Sequence, residues 1–496
     1  MVGTTFIVYV CLMMLIGYIA YRHTKDLSDY ILGGRRLGKW VTAVSACASD
    51  MSGWLLLGLP GYAYAAGLEA GWIALGLLVG TYFNWRLVAT RLRHYSVIAG
   101  NSQTLPEFFE QRFHDDTRLL RIVSALFILL FFLFYTSSGL VAGGKLFNAV
   151  FDLPYHWAVT VGTLVIVAYT FIGGFLAVSW TDLLQGSLMA LALVLVPIIA
   201  ISSLGGWDTT ITDIGETNPY LLDVFTNLKG EPLGLLAIIS LLAWGLGYFG
   251  QPHILARFKA IRSPTEIPAA RRIAVTWIFI TLLCAVVVGL VGIGYLEQPL
   301  LGTDTEKVFI LLVNALFHPL IAGICLAAIL AAIMSTADSQ LLVAAAAFTS
   351  DFYKALFRKT ASEQELIWAG RFAVLLIAII ALVLAWNPER KVLDLVAYAW
   401  AGFGAAFGPT LILSLFWRRM NRNGALAGIV VGGLTVVIWK QLNGGIFDLY
   451  EIVPGFLFSM LSVVLASLFT PAPVKAVLVD FDKVSKELLR GLNKQP

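Results

Sequence analysis

Charge is what this 496-residue chain has least of: Asp, Glu, Lys and Arg make up 13% of it, against about 25% in a typical soluble protein. Hydrophobic residues stand at 59%, above the usual range of about 45–50%. So little polar surface excludes a water-soluble globular domain. Cysteine is also scarce. Cys11, Cys47, Cys284 and Cys325 all fall inside apolar runs, and no Cys-x-x-Cys or Cys/His ligand spacing occurs, so structural disulfides and metal clusters are not expected. Missing too are His-Glu-x-x-His, Gly-x-Ser-x-Gly and any nucleophile set beside a base, which argues against an enzyme. The net charge of +4 would suggest nucleic acid or acidic lipid only if it were clustered, and its distribution has a different logic.

That logic comes from the apolar runs. A run of about 20 apolar residues crosses the hydrocarbon core, and thirteen can be placed, at 3–21, 40–64, 70–90, 120–146, 156–172, 182–204, 232–256, 273–296, 319–345, 366–386, 392–417, 424–439 and 450–469. The expectation is an all-α integral membrane protein with a single domain over 1–470 and a tail at 471–496. The first run is followed by Arg22-His-Thr-Lys25 and lacks a basic leader, so it reads as a retained span rather than a signal peptide. An odd number of spans puts the termini on opposite sides. All but six of the 34 Lys and Arg residues then share one side, the six being Lys145, Lys229, Lys307, Arg390, Lys391 and Lys440. The positive-inside rule makes that side cytoplasmic, with the N-terminus outside and the C-terminus inside. The segment 474–492 has mixed charge and amphipathic spacing, as a cytoplasmic surface helix would.

Two spans are interrupted. The stretch Ser45-Ala-Cys-Ala-Ser-Asp-Met-Ser-Gly-Trp54 places a carboxylate, three hydroxyls and a glycine inside the second. A charge near the bilayer centre costs roughly 2.5 to 3.5 kcal/mol on insertion scales, so Asp50 needs a partner, a water-filled cavity or a cation. The seventh contains Trp244-Gly-Leu-Gly-Tyr-Phe-Gly-Gln-Pro252, where Pro252 removes a donor and the glycines permit departure from helix. Gly76, Gly80, Gly162 and Gly292 read as packing residues. Five spans separate the two interruptions, so the second copy runs through the membrane in the opposite direction. That is the pattern of an inverted repeat, with halves near 40–204 and 232–417 and with spans one, twelve and thirteen peripheral.

Unwound carbonyls and hydroxyls can replace the water around a monovalent cation without a large buried charge. In Ala331-Ala-Ile-Met-Ser-Thr-Ala-Asp-Ser-Gln340, Ser335 and Thr336 follow Ala332 by three and four residues, which sets three oxygens on one helix edge. The carbonyls around Ala48 and Met51 could complete such a shell. Equally, the two hydroxyls could bond only to their own helix, and both readings stand at this point.

Longer segments carry a resemblance. Asp29-Tyr-Ile-Leu-Gly-Gly-Arg35, Ala48-Ser-Asp-Met-Ser-Gly-Trp-Leu-Leu56, the stretch 169–182, Trp244 to Phe258 and the stretch 398–409 resemble the sodium/solute symporter family, its proline-carrying members above all. The resemblance covers the first span to the thirteenth. It implies secondary active transport, with inward sodium flux driving L-proline uptake by alternating access across a bacterial cytoplasmic (inner) membrane, with no cofactor. It implies a sodium site from the backbone oxygens of Ala48, Met51 and Ala332 and the hydroxyls of Ser335 and Thr336, and a role for Asp50 in sodium affinity. For substrate it points to Ser52, Gly53, Trp54, Tyr135, Trp244, Tyr248 and Pro252, and for the inner gate to Arg35. Asp338 departs from the small polar residue of the proline carriers. It would either add charge near the cation site or cap the cytoplasmic end of its span. Asp182 and Asp394 are expected in the first turns of their spans, and His253 in a structural hydrogen bond or, as the alternative, lining the inner pathway. The alternatives are a sodium symporter for another small amino acid or carboxylate, and a transporter-like sensor. A sensor would need a signalling module beyond the last span, where only Thr470 to Pro496 follow.

Overall fold

The computed structural model describes residues 1–21, 31–172 and 174–492. Arg22, Lys25, Asp29, Gly173 and the last four residues of the tail, all used above, lie outside the described residues. Helices run in the order α1 (Val2–Tyr21), α2 (Lys39–Ala48), α3 (Leu59–Ala66), α4 (Gly71–Phe83), α5 (Thr90–Ile98), α6 (Leu105–Phe113), α7 (Leu119–Phe151), α8 (Tyr155–Ile172), α9 (Phe175–Ser203) and α10 (Trp207–Thr217). There follow α11 (Leu235–Leu242), α12 (Pro252–Ala260), α13 (Ile267–Tyr295), α14 (Val308–Leu316), α15 (Pro319–Ala346), α16 (Glu363–Leu384), α17 (Val392–Phe416), α18 (Arg422–Trp439), α19 (Ile452–Phe469) and α20 (Lys475–Leu492).

Ten of the described helical stretches are long and apolar enough to cross a bilayer, and eleven when the bent pair Leu235–Gly250 and Pro252–Ala260 counts as one span. The thirteen runs divide differently because Trp54–Ile98 is nearly continuous helix, while α8, an apolar helix of 18 residues, stands outside the ten. Within Trp54–Ile98 the helix is interrupted at Gly67, with φ 70° and ψ −146°. Glycine is required there twice over, by that conformation and by Leu221, whose carbonyl oxygen would lie 2.3 Å from an added Cβ.

Burial separates core from periphery. In α15 and α17, 83% of the most apolar window is buried, against 22% in α1 and 39% in α16, α18 and α19. The outer helices turn apolar side chains outward, among them Trp157, Leu164, Leu191 and Val383, a surface suited to lipid rather than water. The start of α17 is pinned by Glu306. Its carboxylate accepts from the backbone N–H groups of Val392 (3.1 Å) and Leu393 (3.2 Å) and from Lys145 Nζ (2.5 Å), as an acid at a helix N-terminus should. Asp394 lies in that first turn, as expected. The amphipathic α20 buries Val477, Phe481 and Val484. Arg418 holds Asp482 at 2.8 Å, His114 holds Asp480 at 2.9 Å, and the Arg112 guanidinium lies 5.5 Å from the Phe481 ring.

Candidate functional site

Helix α2 stops at Ala48, and the chain passes through a tight turn over Ser49–Ser52 before helix resumes as a wider π-type turn over Trp54–Gly58. Unwinding here frees carbonyls at membrane depth, and each must find a partner. The Asp50 carbonyl accepts from Trp54 Nε1 and from the Tyr135 hydroxyl, both at 3.0 Å. Its carboxylate accepts from the Tyr248 hydroxyl at 2.7 Å through Oδ2, while Oδ1 has no hydrogen-bond partner among the described residues. Gly53 sits against α7, where an added Cβ would fall 2.6 Å from that of Ala142.

The Ala48 carbonyl faces α15. Ser335 Oγ donates to it at 2.8 Å and Thr336 Oγ1 at 3.2 Å, and Ser335 also contacts the Ala332 carbonyl at 3.2 Å. Four oxygens from two elements therefore meet at one buried point. The hydroxyls do more than bond back to their own helix, although Ser335 does that as well. Met51, three residues after Ala48, is fully buried, and its N–H donates to the Cys47 carbonyl at 2.8 Å.

The second break is built differently. Residues Ala243–Gly250 wind as 3₁₀ turns, Gln251 is extended, and Pro252 opens α12 at a 46° bend. Gly245 meets the backbone of Gly76, Gly247 the indole of Trp400, and Gly250 the Phe403 carbonyl, each at about 2 Å from an added Cβ. These glycines, expected to serve the break, also serve close packing, and Gly76 and Gly80 are their partners. Trp400 Nε1 donates to the Trp244 carbonyl at 2.7 Å. The Trp244 ring lies 6.2 Å from that of Trp54 and 5.6 Å from that of Tyr450. The fold thus gathers Ser52, Gly53, Trp54, Tyr135, Trp244 and Tyr248 around the first break, all buried. Pro252 lines a throat of about 20 Å³ with Ala256, Lys259, Gln103 and Thr104.

Three expectations are corrected. Asp182 is not in the first turn of its helix. It is seven residues inside α9, fully buried, where Oδ2 accepts from Ser45 Oγ (2.6 Å) and Arg257 (3.1 Å). His253 makes no structural hydrogen bond, since neither ring nitrogen has a partner among the described residues; the ring packs 5.9 Å from those of both Phe132 and Tyr135. Asp338 caps nothing. It is buried within α15, with Asp182 and Arg257 as its charged neighbours, and Ser339 Oγ lies between, 2.5 Å from Arg257 and 3.4 Å from Asp338. Sequence reasoning missed Ser45, Arg257 and Ser339 in this cluster. The available signal was two carboxylates in apolar runs, which called for a basic partner.

Arg35 has φ 56° and reaches the Lys259 carbonyl (2.8 Å), Ser96 Oγ (3.0 Å) and the Ser102 carbonyl (3.2 Å). Burial first, and then the Arg93 charge, lowers its pKa to about 10, so it stays cationic at neutral pH. Lys259 Nζ donates to the Gln103 carbonyl at 2.5 Å, which joins the segment before α2 to the throat.

Residues 30–432 match the pattern of the Sodium:solute symporter family. The chain belongs to the sodium:solute symporter family. Among its relatives, the Sodium/proline symporter of Salmonella typhimurium is 53% identical over 97% of this chain and 95% of the relative. That of Escherichia coli is 54% identical over 95% and 94%, and the High-affinity proline transporter PutP of Bacillus subtilis 53% over 95% and 98%. A Na+-coupled sialic acid symporter of known structure, in a substrate-bound outward-open state, superposes with a TM-score of 0.78 at 20% identity, over 95% of this chain and 98% of that one. MHP1, a nucleobase-cation-symport-1 family transporter in a closed conformation, gives 0.54 at 12%, over 92% and 99%. These likenesses give this symporter-family chain an all-helical, inverted-repeat membrane fold.

Proposed function

We propose that this protein takes up L-proline by sodium-coupled secondary active transport, and that it is not an enzyme. The observation that carries the reading is identity of 53–54% over nearly the whole chain to proline transporters. An inside-negative potential gives each inward sodium charge about 2.3 kcal/mol per 100 mV. The chain needs no cofactor to use it.

The sodium site in this reading consists of the Ala48, Met51 and Ala332 carbonyls and the Ser335 and Thr336 hydroxyls. Both hydroxyls now donate to the Ala48 carbonyl. Rotating their O–H bonds away turns lone pairs towards a cation, which bridges α2 and α15 in place of those hydrogen bonds. Asp50, two residues on, supplies negative potential through a carboxylate oxygen with no hydrogen-bond partner among the described residues. Its backbone carbonyl holds Trp54 and Tyr135, so a shift at Ala48 is felt by groups that pack the proline ring. Freed backbone groups near Ser52 and Gly53 serve the ammonium and carboxylate, with Trp244, Tyr248 and Pro252 opposite. Linkage then requires sodium and proline to raise each other's affinity by one factor. Asp338 contributes to coupling through the Arg257–Asp182 cluster, and Arg35 by holding the inner segment to Lys259.

The finer topology belongs to the same reading. Counting the broken 40–64 run, the bent α11–α12 pair and α8 as spans gives thirteen in one domain over 1–470. The repeat halves are 40–204 and 232–417, the N-terminus is outside, and the tail 471–496 is in the cytoplasm of a bacterium. Uptake of labelled proline with sodium present, or replaced by choline, tests the function. Uptake that ignores the replacement, or that excess unlabelled proline leaves untouched, overturns it.

A further inference from the structure

We propose that a basic cavity at one membrane boundary binds the phosphate of an anionic phospholipid. The cavity has a volume of about 310 Å³, and Arg118, Arg121, Lys354 and Lys359 line it against one carboxylate, Glu107. Not all of that charge is free. Arg121 is held by Asp351 at 2.7 Å and Glu110 at 2.8 Å. Arg118 donates to the Ala355 carbonyl at 2.7 Å, which fixes its guanidinium at the rim, and lies 3.9 Å from Glu110. Lys354 and Lys359 are exposed and make no ion pair among the described residues. The cavity therefore keeps an excess of positive charge that the protein itself does not neutralise.

Its position supplies the second argument. Arg118 immediately precedes the span Leu119–Phe151, Lys354 is in the last turn of the stretch ending at Phe357, and Lys359 is in the link to Glu363–Leu384. Three spanning segments thus end around it, at the depth of lipid headgroups, where basic pockets between helices attract anionic lipid. The neighbours of these basic residues are apolar and uncovered: Leu119 and Leu356 are exposed, and Phe357 is 67% exposed. A free phosphate has no use for that rim. A phospholipid uses both parts, its phosphate at the lysines and its acyl chains along Phe357 and the exposed Trp368 and Phe372 of α16.

The test reads binding, because Gln103 and Thr104 belong both to this wall and to the throat at Pro252 and transport rate would mix the two. The purified full chain in neutral detergent is titrated with fluorescent phosphatidylglycerol and with phosphatidylcholine of the same acyl chains. Wild type should prefer phosphatidylglycerol. Lys354→Gln with Lys359→Gln should reduce that preference by roughly 30-fold at low salt, at about fivefold for each basic residue near an anionic headgroup. Arg262→Gln with Lys475→Gln removes the same charge elsewhere outside the spans and should leave it unchanged. Wild-type preference in the Lys354/Lys359 variant overturns the proposal, as does equal loss in the control pair. Displacement of phosphatidylglycerol by inorganic phosphate at equal concentration also overturns it, because the site would then belong to a soluble anion.

Discussion

At the first break the chain leaves helix between Ala48 and Trp54, and side chains meet its freed carbonyls: Ser335 and Thr336 at Ala48, Trp54 and Tyr135 at Asp50. At the second, over Ala243–Gln251, the chain tightens into 3₁₀ turns and glycines let neighbouring backbone and rings approach to contact. One break is held by hydroxyl hydrogen bonds, the other chiefly by close packing of its glycines, with Asn84, Gln251 and Trp400 donating to its carbonyls. In the proposed sodium site a cation competes for the oxygens at Ala48. On the proposed sodium and proline sites, the two interruptions divide their work, the polar break facing the ion and the steric break forming the wall opposite.

The steric copy should be the more fragile to a single methyl. In Gly250→Ala the new Cβ would lie 2.1 Å from the Phe403 carbonyl oxygen, and backbone cannot swing aside as a side chain can. Overpacking of a tight core costs about 1–3 kcal/mol or more, so folded yield and melting temperature should both fall. A wild-type melt would remove the distinction between the two breaks. Tyr248→Phe attacks the polar copy with no change of shape. It deletes the hydroxyl on Asp50 Oδ2, a hydrogen bond to a carboxylate worth about 1.5–3 kcal/mol. The melt should fall no further than in Gly250→Ala, while the sodium concentration for half-maximal uptake rises roughly tenfold or more.

The polar break was legible in sequence because charge is expensive in an apolar run, and Asp50 among Ser45, Ser49, Ser52 and Gly53 stands out against it. The convergence of Ser335 and Thr336 on Ala48 was only half legible: helical spacing aligned them with Ala332, and the Ala48 and Met51 carbonyls could complete a shell, but spacing alone could not choose this over hydroxyls bonded only to their own helix. At the second break Pro252 and the glycines marked the interruption, whereas their close neighbours Gly76, Trp400 and Phe403 depend on packing between distant segments. Asp182 was misplaced for a related reason. Its distance from the start of an apolar run suggested a first turn, but the helix begins earlier at Phe175, and only the fold brings Arg257 to it. The span count diverges where Trp54–Ile98, interrupted at Gly67, is otherwise nearly continuous helix.

Thr336→Val separates ion from structure further. Valine keeps the branched shape and removes one of the four oxygens at Ala48, leaving Ser335 in place. Sodium half-saturation should rise about tenfold, equivalent to about 1.4 kcal/mol, with unchanged folded yield and with proline affinity at saturating sodium near wild type. Unchanged sodium activation would take Thr336 out of the ion site.

The smallest expected effect falls on one of the side-chain hydrogen bonds at the steric copy. Trp400 Nε1 donates to the Trp244 carbonyl at 2.7 Å, and its ring stands edge-on to Tyr248 with centroids 5.0 Å apart. Trp400→Phe keeps an aromatic wall and loses the donor, at a net cost of about 1 kcal/mol. The Trp244 ring lies 6.2 Å from that of Trp54 in the proposed proline pocket, so proline half-saturation should rise about fivefold. Sodium half-saturation, measured with proline saturating, should stay within about twofold of wild type, because no oxygen at Ala48 has been touched. A sodium shift as large as that of Thr336→Val would mean that the two breaks act as one unit, and the division between a polar and a steric copy would have to be abandoned.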